Sequence, residues 1–211
     1  MGTVERRERE KLIRRNEIID AAETIFFTKG FESATMDDVA TESELSKGTL
    51  YLYFKSKDEL YQAIVQRGAV ILHDLFEKAT ENVENGLCGV RAIGEAFVQF
   101  YNQFPNYHDA MMFDQSREAE INPQSKTDIA TFEIKKQTND LFIATIQRGI
   151  DDGSIRKDIN PLMTSLLLWA EAMGVMQLVK YKGNVINKFY DLPKETLIEH
   201  FFNSTYEYLK A

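Results

Sequence analysis

Residues 35–60, TMDDVATESELSKGTLYLYFKSKDEL, decide the architecture. Thr35-Met36-Asp37-Asp38 opens a helix with a hydroxyl cap and acids in the first turn, where they oppose the positive end of the helix dipole. Val39 and Ala40 face inward, and Thr41-Glu42-Ser43-Glu44 closes that helix. Leu45 is an apolar plug before a second cap at Ser46. Leu50 and Phe54 then sit four apart on one face of the next helix, which buries them together. Gly48 and Leu52 point away from that face, flanked by Thr49 and Tyr51, with Tyr53 near its edge. Ser56-Lys57-Asp58-Glu59 is a further capping box that opens a third, long helix. Two short helices joined by a tight turn, the second with hydrogen-bonding and aromatic groups outward, suit the DNA major groove better than a folded core.

The pattern T-x-x-D-[VI]-A…S-K-G-T-L-Y-x-Y-F-x-[ST]-K-[DE]-x-L resembles the DNA-binding module of the TetR family of bacterial regulators. The match runs almost without gaps from Ile18 to Tyr61. One position departs: family members often carry Ala-Gly in the turn, where this chain has Ser43-Glu44. A residue other than glycine in a left-handed turn costs about 1–2 kcal/mol. The resemblance implies an all-α chain with a three-helix helix-turn-helix head over 1–56 and a larger helical effector-binding and dimerisation domain over 57–211. On this reading Lys47 and Lys57 reach phosphates with help from Thr35, Ser46, Tyr51 and Tyr53. Gly48 permits close backbone approach, Thr49 meets a base edge, and Leu52 packs on a thymine methyl.

The net charge of the 211 residues is −8, which at first sight argues against a nucleic-acid partner. Its distribution answers the objection. Residues 1–15 form a basic N-terminal arm: Arg6, Arg7, Arg9, Lys11, Arg14 and Arg15 face only Glu5, Glu8 and Glu10. Lys47, Lys55 and Lys57 add a second basic group, and binding needs only a local positive face. An arm of this kind also serves simply as a solubilising tail. Hydrophobic residues make up 44% of the chain, and mean hydropathy is −0.34. No uninterrupted apolar run reaches bilayer-spanning length; Leu166-Leu167-Leu168-Trp169-Ala170 is broken by Glu171. The charged N-terminus carries no apolar leader. These features lead to the expectation of a cytoplasmic protein with no membrane association. Cys88 is the only cysteine, which excludes an internal disulfide and any Cys-x-x-Cys metal motif.

Helical periodicity continues beyond the head. A first helix is expected from about Glu10 to Lys29, with Ile18, Ile19, Ala22, Ile25 and Phe26 inward and Gly30 as its stop. The helix after Ser56 extends to about Asn82. Another runs from about Val90 to Phe104 and ends at Pro105, followed by a poorly periodic stretch at 106–123. A long helix covers Ser125 to about Asp152. The last two span about 161–182 and 193–209. The first of these has two apolar stripes, Leu162-Leu166-Trp169-Met173-Met176 and Leu168-Ala172-Val175-Val179. The second has Leu197-Phe201-Ser204-Tyr208 and Ile198-Phe202-Thr205-Leu209. One core needs one stripe per helix, so burial on two sides indicates a partner subunit. The resemblance implies that these two helices form a homodimer reading a palindromic operator on double-stranded DNA.

Phe97, Phe100, Tyr101 and Phe104 recur at helical spacing, with Tyr107, Met111 and Met112 close behind and Trp169 and Met173 offering similar chemistry. Ordinary core accounts for such a stripe. The resemblance implies the alternative, an inducer cavity: Met adapts to irregular ligands and Tyr adds a polar handle. Tyr101, Gln99 or Glu171 would orient the ligand. No dense cationic cluster is present there, which favours a lipophilic, aromatic or cationic effector over a polyphosphate.

Catalytic signatures are missing. The chain has no P-loop, nucleophile elbow, H-E-x-x-H or cysteine cluster, and His73, His108 and His200 are scattered. Catalytic residues, metals and cofactors are therefore not expected. The expected protein is a small-molecule-responsive transcriptional repressor; a regulator without an effector, or a protein-interaction module, would share most of this pattern.

Overall fold

The computed structural model describes Thr3–Ser116 and Ser125–Ala211. Nine α-helices occur among these residues: α1 Thr3–Ser33, α2 Met36–Glu42, α3 Lys47–Tyr53, α4 Lys57–Thr80, α5 Gly86–Gln103, α6 Pro105–Ser116, α7 Lys126–Asp152, α8 Pro161–Tyr190 and α9 Lys194–Leu209. Among the described residues β-pairing is limited to one isolated bridge, between Ile155 and Lys210.

Contacts divide the chain into two compact units. The first comprises Met1–Ala69 and 106–134, the second Val70–Pro105 and 135–211. The expected boundary at residue 56 marks the end of the α3 region, but the first unit continues past it. Side-chain chemistry explains why α6 joins the head. The Tyr107 hydroxyl donates to Glu23 at 2.7 Å, Tyr61 donates to the Ala110 carbonyl at 3.3 Å, and Gln62 donates to Asp114. Gly68 admits this packing, since a Cβ there would stand 3.1 Å from that of Tyr107.

Within the first unit α1 buries Ile18, Ile19, Ala22 and Phe26 and packs on α2, which packs on α3; these contribute Met36, Val39, Ala40 and Leu50, with Phe54 just after α3. Helix α1 begins at Thr3, well before the expected Glu10, so most of the basic arm is helical. Gly30 interrupts it with φ 75° and ψ 162°. The expected irregular stretch after Pro105 is also helical as far as Ser116; residues 117–123 lie outside the described residues. Proline lacks an N–H but is tolerated at the first helical position, where no intrahelical acceptor is due.

The second unit packs α5 against α8 and α9. Helix α8 runs eight residues beyond the expected Lys182. Its length and a window hydropathy of 1.5 would let it cross a membrane, although no uninterrupted apolar run suggested so; 28% of that window is buried. Leu168, Met176 and Val179 turn into the unit, as do Phe202 and Leu209 of α9. The inward stripe of α9 is therefore Ile198-Phe202-Thr205-Leu209. In α8 neither expected stripe is wholly inward: Leu162 and Leu166 stand out beside Met163, Leu167 and Leu178, all more than two-fifths exposed.

Candidate functional site

Two reciprocal caps hold the α2–α3 pair. The Thr35 hydroxyl accepts from the Asp38 N–H at 3.1 Å, while Asp38 Oδ2 accepts from the Thr35 N–H at 3.0 Å. Lys29 adds an ion pair to Asp38 at 2.7 Å. The Lys29 hydrogen bond, then those from Thr35, hold the Asp38 carboxyl down at about 2. At the head of α3 the Ser46 hydroxyl accepts from the Thr49 N–H at 3.1 Å and meets the Thr49 hydroxyl at 2.8 Å.

The turn between α2 and α3 closes as a Schellman motif. Leu45 N–H donates to the Ala40 carbonyl at 2.9 Å and Glu44 N–H to Thr41 at 3.1 Å. That geometry demands a left-handed residue after the helix, and Glu44 supplies it at φ 54°. The departure from Ala-Gly thus falls on the one turn residue with strained backbone.

The outward face of α3 carries Lys47, Gly48, Tyr51 and Leu52, all exposed. Leu52 is 73% exposed, among the more open large apolar side chains of the first unit. Thr49 and Tyr53 are half-buried. Lys47 pairs with Asp37 at 2.7 Å; that hydrogen bond raises its pKa. The pair is open to solvent, so an incoming phosphate can replace it. Lys55 donates to the Tyr51 carbonyl at 3.0 Å.

Lys57 sits differently from the expected phosphate ligand. Its ammonium donates to the carbonyls of Phe31 at 2.8 Å, Ala34 at 3.1 Å and Glu32 at 3.4 Å, and it lies 4.3 Å from the centre of the Phe31 ring. An ammonium has three donors, and here the carbonyls ending α1 take all three. Arg15 of the basic arm is likewise structural: its guanidinium lies 4.9 Å from the Phe54 ring centre and donates to Thr127 at 3.3 Å, and burial lowers its pKa. Arg67 ties α4 to α1 through Asp20 at 2.5 Å and Glu23 at 3.0 Å.

The expected effector residues divide between the two units. Tyr107, Met111 and Met112 belong to the first. There Tyr107 packs edge-on to Phe27 at 5.4 Å, and burial, then its bond to Glu23, raises its phenol to about 12. Phe97, Phe100, Tyr101, Phe104, Trp169 and Met173 belong to the second. Phe97 and Trp169 meet at 5.2 Å, while Phe100 and Phe104 meet with tilted rings at 5.9 Å. Phe97 and Trp169 also line a cavity of about 40 Å³ in the second unit, together with Phe76, Phe142, Leu168 and Phe202. The remaining expected residues do not line it. Gln99 pairs on the surface with Gln103 at 3.2 Å. Sequence reasoning missed Arg91 at the cavity edge; its only sequence signal was a Glu four residues on. Among the described residues no three His, Cys, Asp or Glu are placed to hold a metal.

A family model described as bacterial regulatory proteins, tetR family, matches residues 18–64. The HTH-type transcriptional repressor KstR2 of Rhodococcus jostii (strain RHA1) is 32% identical over 148 residues, which are 70% of this chain and 70% of that protein. Among solved structures, a protein of unknown function from Rhodococcus sp. RHA1 superposes with a TM-score of 0.73 at 17% identity, covering 94% of this chain and 95% of that one. AibR in complex with isovaleryl coenzyme A and operator DNA superposes with a TM-score of 0.63 at 16% identity, covering 90% and 97%.

Proposed function

Because this chain belongs to the TetR family of DNA-binding transcriptional regulators, which are not enzymes, we propose that it is a homodimeric repressor. It binds a palindromic operator through α3 and leaves that operator when a small lipophilic effector enters its second unit. The observation that carries the DNA reading is the outward face of α3: a cation at the N-terminus, a glycine beside it, and Tyr51 and Leu52 projecting from a helix whose other face is fully buried. Such a face serves phosphate contact, close approach and base-edge contact in turn. The basic residues Arg7, Arg9 and Lys11 near the start of α1 add exposed charge.

Dimerisation rests on α8 and α9. Met163, Leu167 and Leu178 leave an apolar face on α8. Beside it lies an open groove between α8 and α9, lined by Leu167, Glu171, Phe201, Ser204 and Tyr208. One helix-turn-helix reads a single half-site, and a two-fold pair reads two. The effector response rests on the apolar cavity of the second unit, and the repressor reading on the repressor role of the relative KstR2. Effector binding would shift the population of dimers away from the head spacing that fits the operator.

The test is transcription in vitro from a promoter that overlaps a DNA sequence selected by the protein. Added protein should lower the transcript several-fold. A rise in transcript would make it an activator, and no change would leave it outside promoter control.

A further inference from the structure

The cavity of the second unit has a door. Arg91 on α5 donates to Glu199 on α9 at 3.0 and 3.2 Å and to Glu95 on its own helix at 2.8 Å. Its guanidinium lies 5.5 Å from the centre of the Phe202 ring. Phe202 in turn seats against α5 where Gly94 leaves room: a Cβ at Gly94 would come within 2.7 Å of the ring. The aromatic ring on α9 thus covers part of the space, and one ion pair on the outside ties its helix to α5.

The interior chemistry restricts what could enter. Phe76, Phe97, Phe142 and Leu168 present carbon, and the polar side-chain groups of the lining are those of Arg91, Thr205, Tyr206 and the Trp169 indole N–H. A charged guest would lose its hydration with no interior partner for its charge, at a cost of several kcal/mol. Arg91 does not supply that partner, because both neighbouring glutamates already engage it. The present volume of about 40 Å³ has room for only about three waters, and such apolar space stays dry. A ring-sized guest needs more room than this, which a shift of Phe202 would supply, and the Arg91–Glu199 pair resists that motion.

We propose that the cavity walled by Phe97, Trp169 and Phe202 binds an uncharged, hydrocarbon-like ligand, and that Arg91 and Glu199 latch α9 over its mouth. Binding itself is independent of the regulatory reading above; only its consequence for DNA rests on that reading.

Trp169 is the only tryptophan of the chain, so its emission reports the cavity in the unmodified protein. Toluene, benzoate and benzylammonium share a ring and differ in charge. Toluene should change the Trp169 emission saturably, while benzoate and benzylammonium bind at least about tenfold more weakly. In stopped-flow mixing, Glu199→Gln should raise the rate of the toluene response about two- to fivefold, as expected for loss of an exposed ion pair. Ala172→Leu, which fills the cavity from α8, should abolish the response while the melting temperature stays near or above that of the wild type. No saturable response to toluene would show the cavity to be closed core. An equal response to benzoate would overturn the ligand class, and an unchanged rate in Glu199→Gln would overturn the latch. Toluene binding without loss of operator binding would leave this inference standing and count against the effector reading instead.

Discussion

Glu44 is the residue at which this head departs from the usual turn, and its φ of 54° shows the cost of doing so. Glu44→Gly relieves a strain of about 1–2 kcal/mol, offset in part by the greater freedom of glycine in the unfolded chain. A melting temperature raised by a few degrees is expected; a fall would mean that the Glu44 side chain holds the turn in another way. Lys57 illustrates a limit of sequence reading. A lysine after a recognition helix reads as a phosphate ligand, yet its partners lie 23 to 26 residues back at the end of α1, a distance no local pattern reveals. Lys57→Met should cost about 1–3 kcal/mol in unfolding free energy by leaving carbonyls unsatisfied, with the salt dependence of DNA binding unchanged. Lys47→Ala should instead flatten that dependence by about one unit of slope. Salt titrations of both variants separate the two roles, and equal slopes in wild type and Lys47→Ala would remove Lys47 from the interface. Asp38 adds a pH signature. Its folded carboxyl is depressed from 3.8 to about 2, so its contribution is present above about pH 4 and is lost as pH falls toward 2. The stability difference between wild type and Asp38→Asn should shrink over that interval.

At the scale of elements, helix caps and periodicity made most of the all-α architecture legible before any coordinates. The T-x-x-D and S-K-G-T caps mark α2 and α3 because the side chains that announce those helices are the ones that bond their first turns. Pro105 misled for a local reason: the same residue that stops a helix can occupy the first position of the next, and α6 begins there. Helix α6 has weak amphipathic spacing because its contacts come from a tyrosine, an acid and a backbone carbonyl, all reaching elements far away in sequence. Tyr107→Phe should therefore lower stability by about 1.5–3 kcal/mol, the value of a hydrogen bond to a charged acceptor. A neutral result in chemical unfolding would remove the Glu23 bond as the reason α6 joins the head. The two stripes of α8 led to the expectation of burial on two sides; within the second unit Leu168, Met176 and Val179 are buried while Leu162 and Leu166 stand exposed. The stripes could not assign the outer face, because its residues Met163, Leu167 and Leu178 fall between them. Leu167→Glu should shift sedimentation from dimer to monomer at micromolar concentration. An unchanged dimer would place the partner elsewhere. The aromatic run at 97–113 was visible as a cluster, but its division between two units depends on which helices meet, which composition does not encode.

For the whole molecule, a net charge of −8 and a DNA partner are compatible because charge acts locally near the phosphates while bulk repulsion is screened within about 8–10 Å at ordinary salt. The salt sensitivity of binding is set by the number of phosphates that the local cations neutralise, and the acidic balance elsewhere should keep non-specific affinity low. In the proposed homodimer two-fold symmetry would set the form of the target: two α3 helices reading half-sites about one helical turn apart, 10–10.5 base pairs from centre to centre. Selection from a random duplex DNA library with the full chain tests the central claim most directly. The account predicts enrichment of a single inverted-repeat sequence bound by two chains. Leu52→Ala should relax the preference at one symmetric pair of positions, and Lys47→Ala should weaken binding to all sequences alike. A library that emerges without an enriched motif, or a motif bound just as well after substitution of Leu52 and Tyr51, would contradict it.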